Sequence, residues 1–159
     1  MEGLIAPDDP RAADVVALLT AHLELMNRLS PPEAVHALDV DALVDPAITF
    51  VGYRVDGELL AVGALKDLGE GHGELKSMHT AASARGRGIG GALVRHLLDL
   101  ARQRGLTRVS LETGSQDEFA PARGLYVRHG FSPCGPFGDY PASPWSAFLT
   151  LDLTPDPAP

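Results

Sequence analysis

The 159-residue chain has a single cysteine, Cys134, so no intrachain disulfide can form and a reducing cytoplasm suits it. Basic residues are few. Thirteen of them against twenty-one acids leave a net charge of −8, which removes the basic footprint that a nucleic-acid partner requires. No apolar run approaches the length of a membrane span, so no membrane partner is expected. The opening MEGLIAPDDP has neither the basic nor the apolar region of a secretory signal. No His/Cys/Asp cluster has metal-ligand spacing, and no metal is expected. No Lys-Ser or Lys-Thr pair follows the glycines of residues 86–91, which excludes a Walker P-loop. What is present, 45% hydrophobic and 21% charged residues, is the composition of an ordinary globular protein. At this length one domain is expected, over residues 1–153, with 154–159 as a frayed tail.

The most informative stretch is Glu74 to Arg104, which reads as a strand, an arginine- and glycine-rich loop, and a long amphipathic helix. Ile89, Ala92, Leu93, Leu97, Leu100 and Ala101 recur at helical spacing on one face, and Gly105 stands where a helix C-terminus favours a left-handed residue. Gly86, Gly88, Gly90 and Gly91 crowd the other end. Each glycine inside a helix costs about 1 kcal/mol against alanine, so their clustering calls for a reason. Close approach of an anion to the helix N-terminus supplies one, with Arg85 and Arg87 adding charge beside the free N–H groups. Between Arg85 and Arg108 there are six arginines and one acid, whereas Met1 to Glu74 carries fourteen acids and four bases. Gly86-Arg87-Gly88-Ile89-Gly90-Gly91 also fits the dinucleotide fingerprint G-x-G-x-x-G, with Glu112 near the position of the ribose-binding acid. Its context is poor, because five residues separate the strand from the first glycine and too few strand–helix pairs follow.

The rest of the chain supplies a first short strand at Gly3 to Ala6. A helix capped by Asp8 or Asp9 follows, with Pro10 in its first turn and its apolar face on Val15, Leu18, Leu19, His22, Leu23, Met26 and Leu29. A second short helix is expected after Ser30, and a turn over Asp39 to Leu43. Ile48 to Leu65 forms a hairpin around Asp56-Gly57, a type I′ turn signal. A glycine-rich link, Gly69 to Gly73, leads to a strand over Glu74 to Thr80, in which alternation puts Glu74, Lys76, Met78 and Thr80 on one face. A strand over Thr107 to Thr113, a helix opened by Asp117-Glu118, and strands at Phe131 to Cys134 and Ser146 to Leu153 complete the pattern.

Arg85-x-x-Gly88-x-Gly90 resembles the coenzyme A pyrophosphate signature of the GNAT N-acetyltransferase superfamily. Ala122-x-x-Leu125-Tyr126-x-x-x-Gly130-Phe131 resembles that family's second landmark, in the family's order. The resemblance covers about Thr49 to Leu153, and Cys134 to Tyr140 is similar to a poorly characterised bacterial branch. It implies an α/β fold of α+β type: a mixed, twisted sheet splayed at the cofactor cleft, with helices on both faces. It implies acetyl-CoA as co-substrate and direct transfer to a primary amine of a small molecule or peptide. Residues Arg85 to Gly91 would hold the pyrophosphate, and the N–H groups of Met78, His79 and Thr80 would polarise the thioester carbonyl. Tyr126 would protonate the departing sulfur. Glu74, thirteen residues before Arg87, has the spacing of the glutamate base in the histone-acetylating branch, and Glu112 is the second candidate. His79 and His36 are the histidines to watch. Phe119 stands where many members have an asparagine against coenzyme A. A non-catalytic acyl-CoA-binding module is the alternative, and a homodimer stays open. The acidic excess before Leu75 favours a cationic or near-neutral acceptor. On this reading acetyl-CoA raises the melting temperature and NADH does not, and Gly88→Val removes the shift; thermal denaturation with each ligand checks both.

Overall fold

Two tight turns shape the first half of the sheet. The structure, a computed structural model, describes residues 3–29 and 40–153. Strands β2 (Ile48–Val55) and β3 (Glu58–Gly69) are joined at Asp56-Gly57, both with positive φ (50° and 83°), the backbone of the expected type I′ turn. Glu70 and Gly71 repeat that signature (57° and 77°) between β3 and β4 (His72–Thr80). The expected glycine-rich link is therefore a second hairpin turn, and β3 runs four residues past Leu65. Strand β1 (Leu4–Pro7) pairs with β2, and β5 (Arg108–Gly114), β6 (Ser132–Pro133) and β7 (Ser146–Asp152) complete a seven-stranded sheet in the order β1-β2-β3-β4-β5-β7-β6. All neighbours are antiparallel except β4 and β5.

That parallel pair is joined through helix α2 (Ile89–Gln103), since parallel neighbours need a crossover. Val94 and Leu98 share the buried face of α2 with Ile89, Leu93, Leu97 and Ala101. Its C-terminus is closed as expected: Gly105 is left-handed (φ 76°), its N–H donates to Arg102 O (3.0 Å), and the Leu106 N–H donates to Ala101 O (3.0 Å). Helix α3 (Ala120–Arg128) follows a short 3₁₀ turn over Asp117–Phe119 and packs beside α2. Both sit on the face bearing Leu65, Leu75, Val109, Leu111 and Leu149.

Helix α1 covers the other face, on Phe50, Val62 and Ala64, through Val15 and Leu19. It spans Ala13–Leu29, three residues later than a cap at Asp9 with Pro10 in the first turn would place it. Asp9 serves an earlier turn instead, accepting from the Arg11 N–H (2.9 Å) and the Ala12 N–H (3.0 Å). Arg54 on β2 clamps the start of α1 to the sheet, at 2.8 Å from Asp8 and 2.7 Å from Asp14. The expected turn near Asp39 is a 3₁₀ helix over Val40–Val44. The second helix expected after Ser30, His36 and the tail from 154 lie outside the described residues.

The β4–β5 ladder covers four pairs, His72↔Arg108 to Leu75↔Leu111, and then stops. Beyond it β5 continues with β7 and β4 with β3, so the sheet parts between them. On the β3 side the register shifts between Val62↔His79 and Ala64↔Lys76, and Ser77 lies in the left-handed region (φ 59°). This bulge corrects the expected alternation. Glu74 and Lys76 face α1 together with His79, while Met78 and Thr80 are turned to the α2 side, because the extra residue shifts every later side chain to the opposite face. Gly63 opposite the bulge makes room for Met78: a Cβ there would lie 2.7 Å from Met78 Sδ and 3.2 Å from Leu97 Cδ1. Ser77→Gly is expected to preserve the fold and gain up to about 1 kcal/mol. Ser77→Val is expected to lose more than that, since a β-branched residue resists positive φ; urea unfolding of both variants checks this.

Candidate active site

The parting of β4 and β5 opens a cleft of about 710 Å³ that passes from the α2 side of the sheet to the α1 side. On the α2 side it is lined by Ala84, Arg85, Gly86, Gly88, Ile89, Gly90 and Gly91, and by Phe119, Ala122, Leu125 and Tyr126. The first intrahelical bond of α2 runs from the Ala92 N–H to Gly88 O (3.1 Å), so the amides of Ile89, Gly90 and Gly91 precede it and have no helical partner. Gly86 (φ 80°) and Gly88 (φ 77°) are left-handed, and nothing stands within 4 Å of where their β-carbons would be. Open space, free amides and the exposed guanidinium of Arg85 fit a phosphate-bearing ligand. Gly90 and Gly91 have a further reason to be glycine. A Cβ on Gly90 would lie 3.0 Å from Leu125 Cδ2, and one on Gly91 3.2 Å from Arg95 Nη1 and 3.5 Å from His129 Cε1. These two glycines let α3 approach α2. Arg87 does not line the cleft, and its guanidinium reaches back to Ser83 O at 3.4 Å.

Past Leu75 one edge of β4 is unpaired. The Ala81 N–H donates to Leu60 O on β3 (2.8 Å), and in an antiparallel ladder every second amide points the same way. The His79 amide therefore turns toward β3, and the Thr80 and Met78 amides toward the open edge. Phe119 is buried over Gly114, where a Cβ would lie 2.2 Å from its ring, so it fills space at the cleft rather than offering a polar contact. Tyr126 is 6% exposed and packs edge-on against Phe131 at 5.9 Å. Burial holds its phenol well above the ordinary value, so it stays protonated.

On the α1 side the cleft is lined by Glu74, Lys76, His79, Glu112 and Tyr140, beneath Leu19, His22, Leu23, Met26 and Leu29 of α1. Glu74 is 4% exposed and engaged: the Tyr140 hydroxyl donates to its Oε2 at 2.5 Å, and Lys76 Nζ lies 3.4 Å from the same oxygen. Tyr140 sits in a loop held to the sheet by aromatic contacts. Phe137 packs against Tyr140, Phe148 and His72 at 5.3 to 5.9 Å. Burial, and then the Glu74 charge, raise the Tyr140 phenol above its ordinary value, which keeps it a donor. Glu112 lies on the same face. Burial pushes it up to about 7; the Ser146 hydroxyl beside it works against this, the negative charge of Glu74 adds to the rise, and Lys76 opposes it. His22 and His79 pack with ring centroids 4.5 Å apart and planes tilted by 45°. Burial, then His22 and Arg85, bring His79 down to about 4, and burial followed by Arg85 lowers His22, so both are neutral near pH 7. Among the described residues no group of three or more His, Cys, Asp or Glu could hold a metal ion.

The fold thus brings Glu74, Glu112, Tyr126, Met78, His79, Thr80, Arg85 and the glycine loop to one cleft. Sequence reasoning missed Tyr140 and His22 as part of it. The signal for Tyr140 was weak, a loop stiffened by Pro136, Pro141 and Pro144. His22 carried no such signal, since its spacing places it in the apolar stripe of α1.

The profile of the acetyltransferase (GNAT) family matches residues 16–131. An uncharacterized N-acetyltransferase of Escherichia coli, YedL, is 46% identical over 149 residues, covering 94% of each chain. Among solved structures, a Klebsiella pneumoniae chain assigned to the acyl-CoA N-acyltransferases matches with a TM-score of 0.78 at 28% identity, covering 95% of this chain and 97% of that one. The Salmonella typhimurium yncA structure, which holds acetyl-CoA as its cofactor, matches with a TM-score of 0.71 at 19% identity over 100% and 98% of the chains.

The raised Glu112 has a consequence for stability. Its folded-state value, about 7, exceeds the unfolded value near 4.5, so the folded protein binds more protons between those limits. Its contribution is full below pH 4.5 and is lost as pH rises to 7, on the order of 1–3 kcal/mol. Glu112→Gln is expected to melt above wild type at pH 8 and to lose that advantage at pH 4, as thermal denaturation at the two pH values would register.

Proposed function

The chain belongs to the GNAT acetyltransferase family, and from that premise we propose that it carries the acetyl group of acetyl-CoA to a primary amine by direct attack in a ternary complex, with Glu112 as the base. Residues 1–153 would act as one domain. No described helix is long and apolar enough to cross a membrane, and the lone Cys134 suits a reducing cytoplasm. The observation that carries the reading is the two-sided cleft, with a glycine-rich helix start beside Arg85 on one face of the parted sheet and two carboxylates on the other.

Bound acetyl-CoA supplies the activated acyl group and a thiolate leaving group. The rest is the work of the chain. The amides of Gly86 to Gly91 and Arg85 hold phosphate, and the outward-facing amides of Thr80 and Met78 are suited to the oxygen that gains charge as the amine adds to the carbonyl carbon. Glu112 takes a proton from the attacking ammonium or amine. A carboxylate poised near 7 is matched to that task at neutral pH, whereas an ordinary one is a weak base there. Glu74 is less available for that role because its Oε2 already accepts from Tyr140 and faces Lys76. Its charge instead supports the basicity of Glu112. Tyr126, kept protonated by burial, is suited to give its proton to sulfur as the C–S bond breaks.

Initial rates of acetyl-CoA-dependent thiol release are expected to rise with pH through about 7 in kcat/KM, as a base that must be unprotonated requires. Glu112→Gln should lower kcat by about 10²- to 10⁴-fold and flatten that limb, and Tyr126→Phe should lower kcat while keeping the melting shift with acetyl-CoA. Wild-type rates in Glu112→Gln combined with inactivity in Glu74→Gln would return the base to Glu74.

A further inference from the structure

Resting on the acetyltransferase reading above, we propose that the acceptor is a primary monoamine on an uncharged apolar body, an alkylamine or arylalkylamine, rather than a polyamine or an acidic amino acid. The argument comes from what the α1 side of the cleft offers. Its roof is the inner face of α1, where Leu23, Met26 and Leu29 line the opening and are half-buried. The end of that helix is tied across the cleft, since Gln116 Nε2 donates to Leu29 O at 2.8 Å just beyond β5. The apolar roof is therefore fixed over the carboxylates.

The floor carries three ionisable side chains of acid or ammonium type, Glu74, Lys76 and Glu112. Two of them satisfy each other. Glu74 faces Lys76 at 3.4 Å and is capped by the Tyr140 hydroxyl, with the Lys76 ammonium also 3.4 Å from that hydroxyl and 5.8 Å from the ring centroid. That leaves one carboxylate, Glu112, to receive one ammonium. The remaining polar groups on this side, His22 and His79, are neutral near pH 7 because both are buried, and Arg85 across the split disfavours their charging.

An acceptor that places its ammonium at Glu112 lays the rest of its body under the α1 roof. Apolar atoms there gain about 25 cal/mol per Å² removed from water. A second ammonium held under Leu23, Met26 and Leu29 would be desolvated against apolar atoms, which is costly; the remaining acid of the cleft lining, Glu118, stands in the turn after β5 rather than on that roof. A second carboxylate would meet Glu74 and Glu112. The site therefore discriminates by charge count as well as by shape.

The test compares kcat/KM for 2-phenylethylamine, n-hexylamine, 1,5-diaminopentane and L-glutamate with saturating acetyl-CoA at pH 8. The monoamines are expected to exceed the diamine and glutamate by tenfold or more. Met26→Glu should close that gap for the diamine by tenfold or more while retaining the melting shift with acetyl-CoA; if it fails to fold, the wild-type ranking decides alone. A diamine or glutamate that matches the monoamines overturns the proposal and leaves acetyl transfer standing. Acetyl-CoA binding with no turnover of any amine overturns both.

Discussion

A sheet that stops pairing in its middle leaves backbone amides and carbonyls with nothing to bond, and this is the condition on which the rest of the molecule depends. The parallel ladder between β4 and β5 ends at Leu75↔Leu111, and each strand goes on with its other neighbour. Unpaired edges of this kind are tolerated where a ligand or water meets them. The fold places a helix start against one side of the split and the inner face of α1 against the other. The bulge at Ser77 then distributes the side chains of β4 between the two sides, sending Met78 and Thr80 one way and His79 the other.

Two carboxylates share the α1 face and are made different by their neighbours. Glu74 is tied by a hydroxyl and an ammonium, while Glu112 is buried with less to offset its charge and is pushed up to about 7. Environment, not residue type, separates the group suited to move a proton from the group suited to bias it. The loop that carries Tyr140 is part of that separation, because Phe137 and Phe148 fix the phenol over Glu74.

Much of this was legible in the residues. Asp56-Gly57 specified its turn and Gly105 its helix end, because each depends on local backbone conformation. What was not legible depends on pairing between distant strands. Alternation assigned Met78 to the face of Glu74, and no local signal announced that Ser77 would take a left-handed conformation opposite Gly63. Likewise nothing near Glu74 in the chain announces the hydroxyl that its carboxylate accepts from, which lies sixty-six residues further on. Gly90 and Gly91 read as ligand contacts, and their closeness to Leu125 and His129 required α3 to be in place.

Gly63 connects the interior to the cleft in a way that solvent exposure hides. Its missing side chain is the space that Met78 occupies, wedged between β3 and Leu97, and Met78 is itself part of the cleft wall. Volume added at residue 63 has nowhere to go but into Met78, and Met78 has nowhere to yield but toward the opening. A buried position thus acts as a gauge for the width of the cleft. The packing of this one strand pair and the shape of the opening are therefore set together, from inside the sheet.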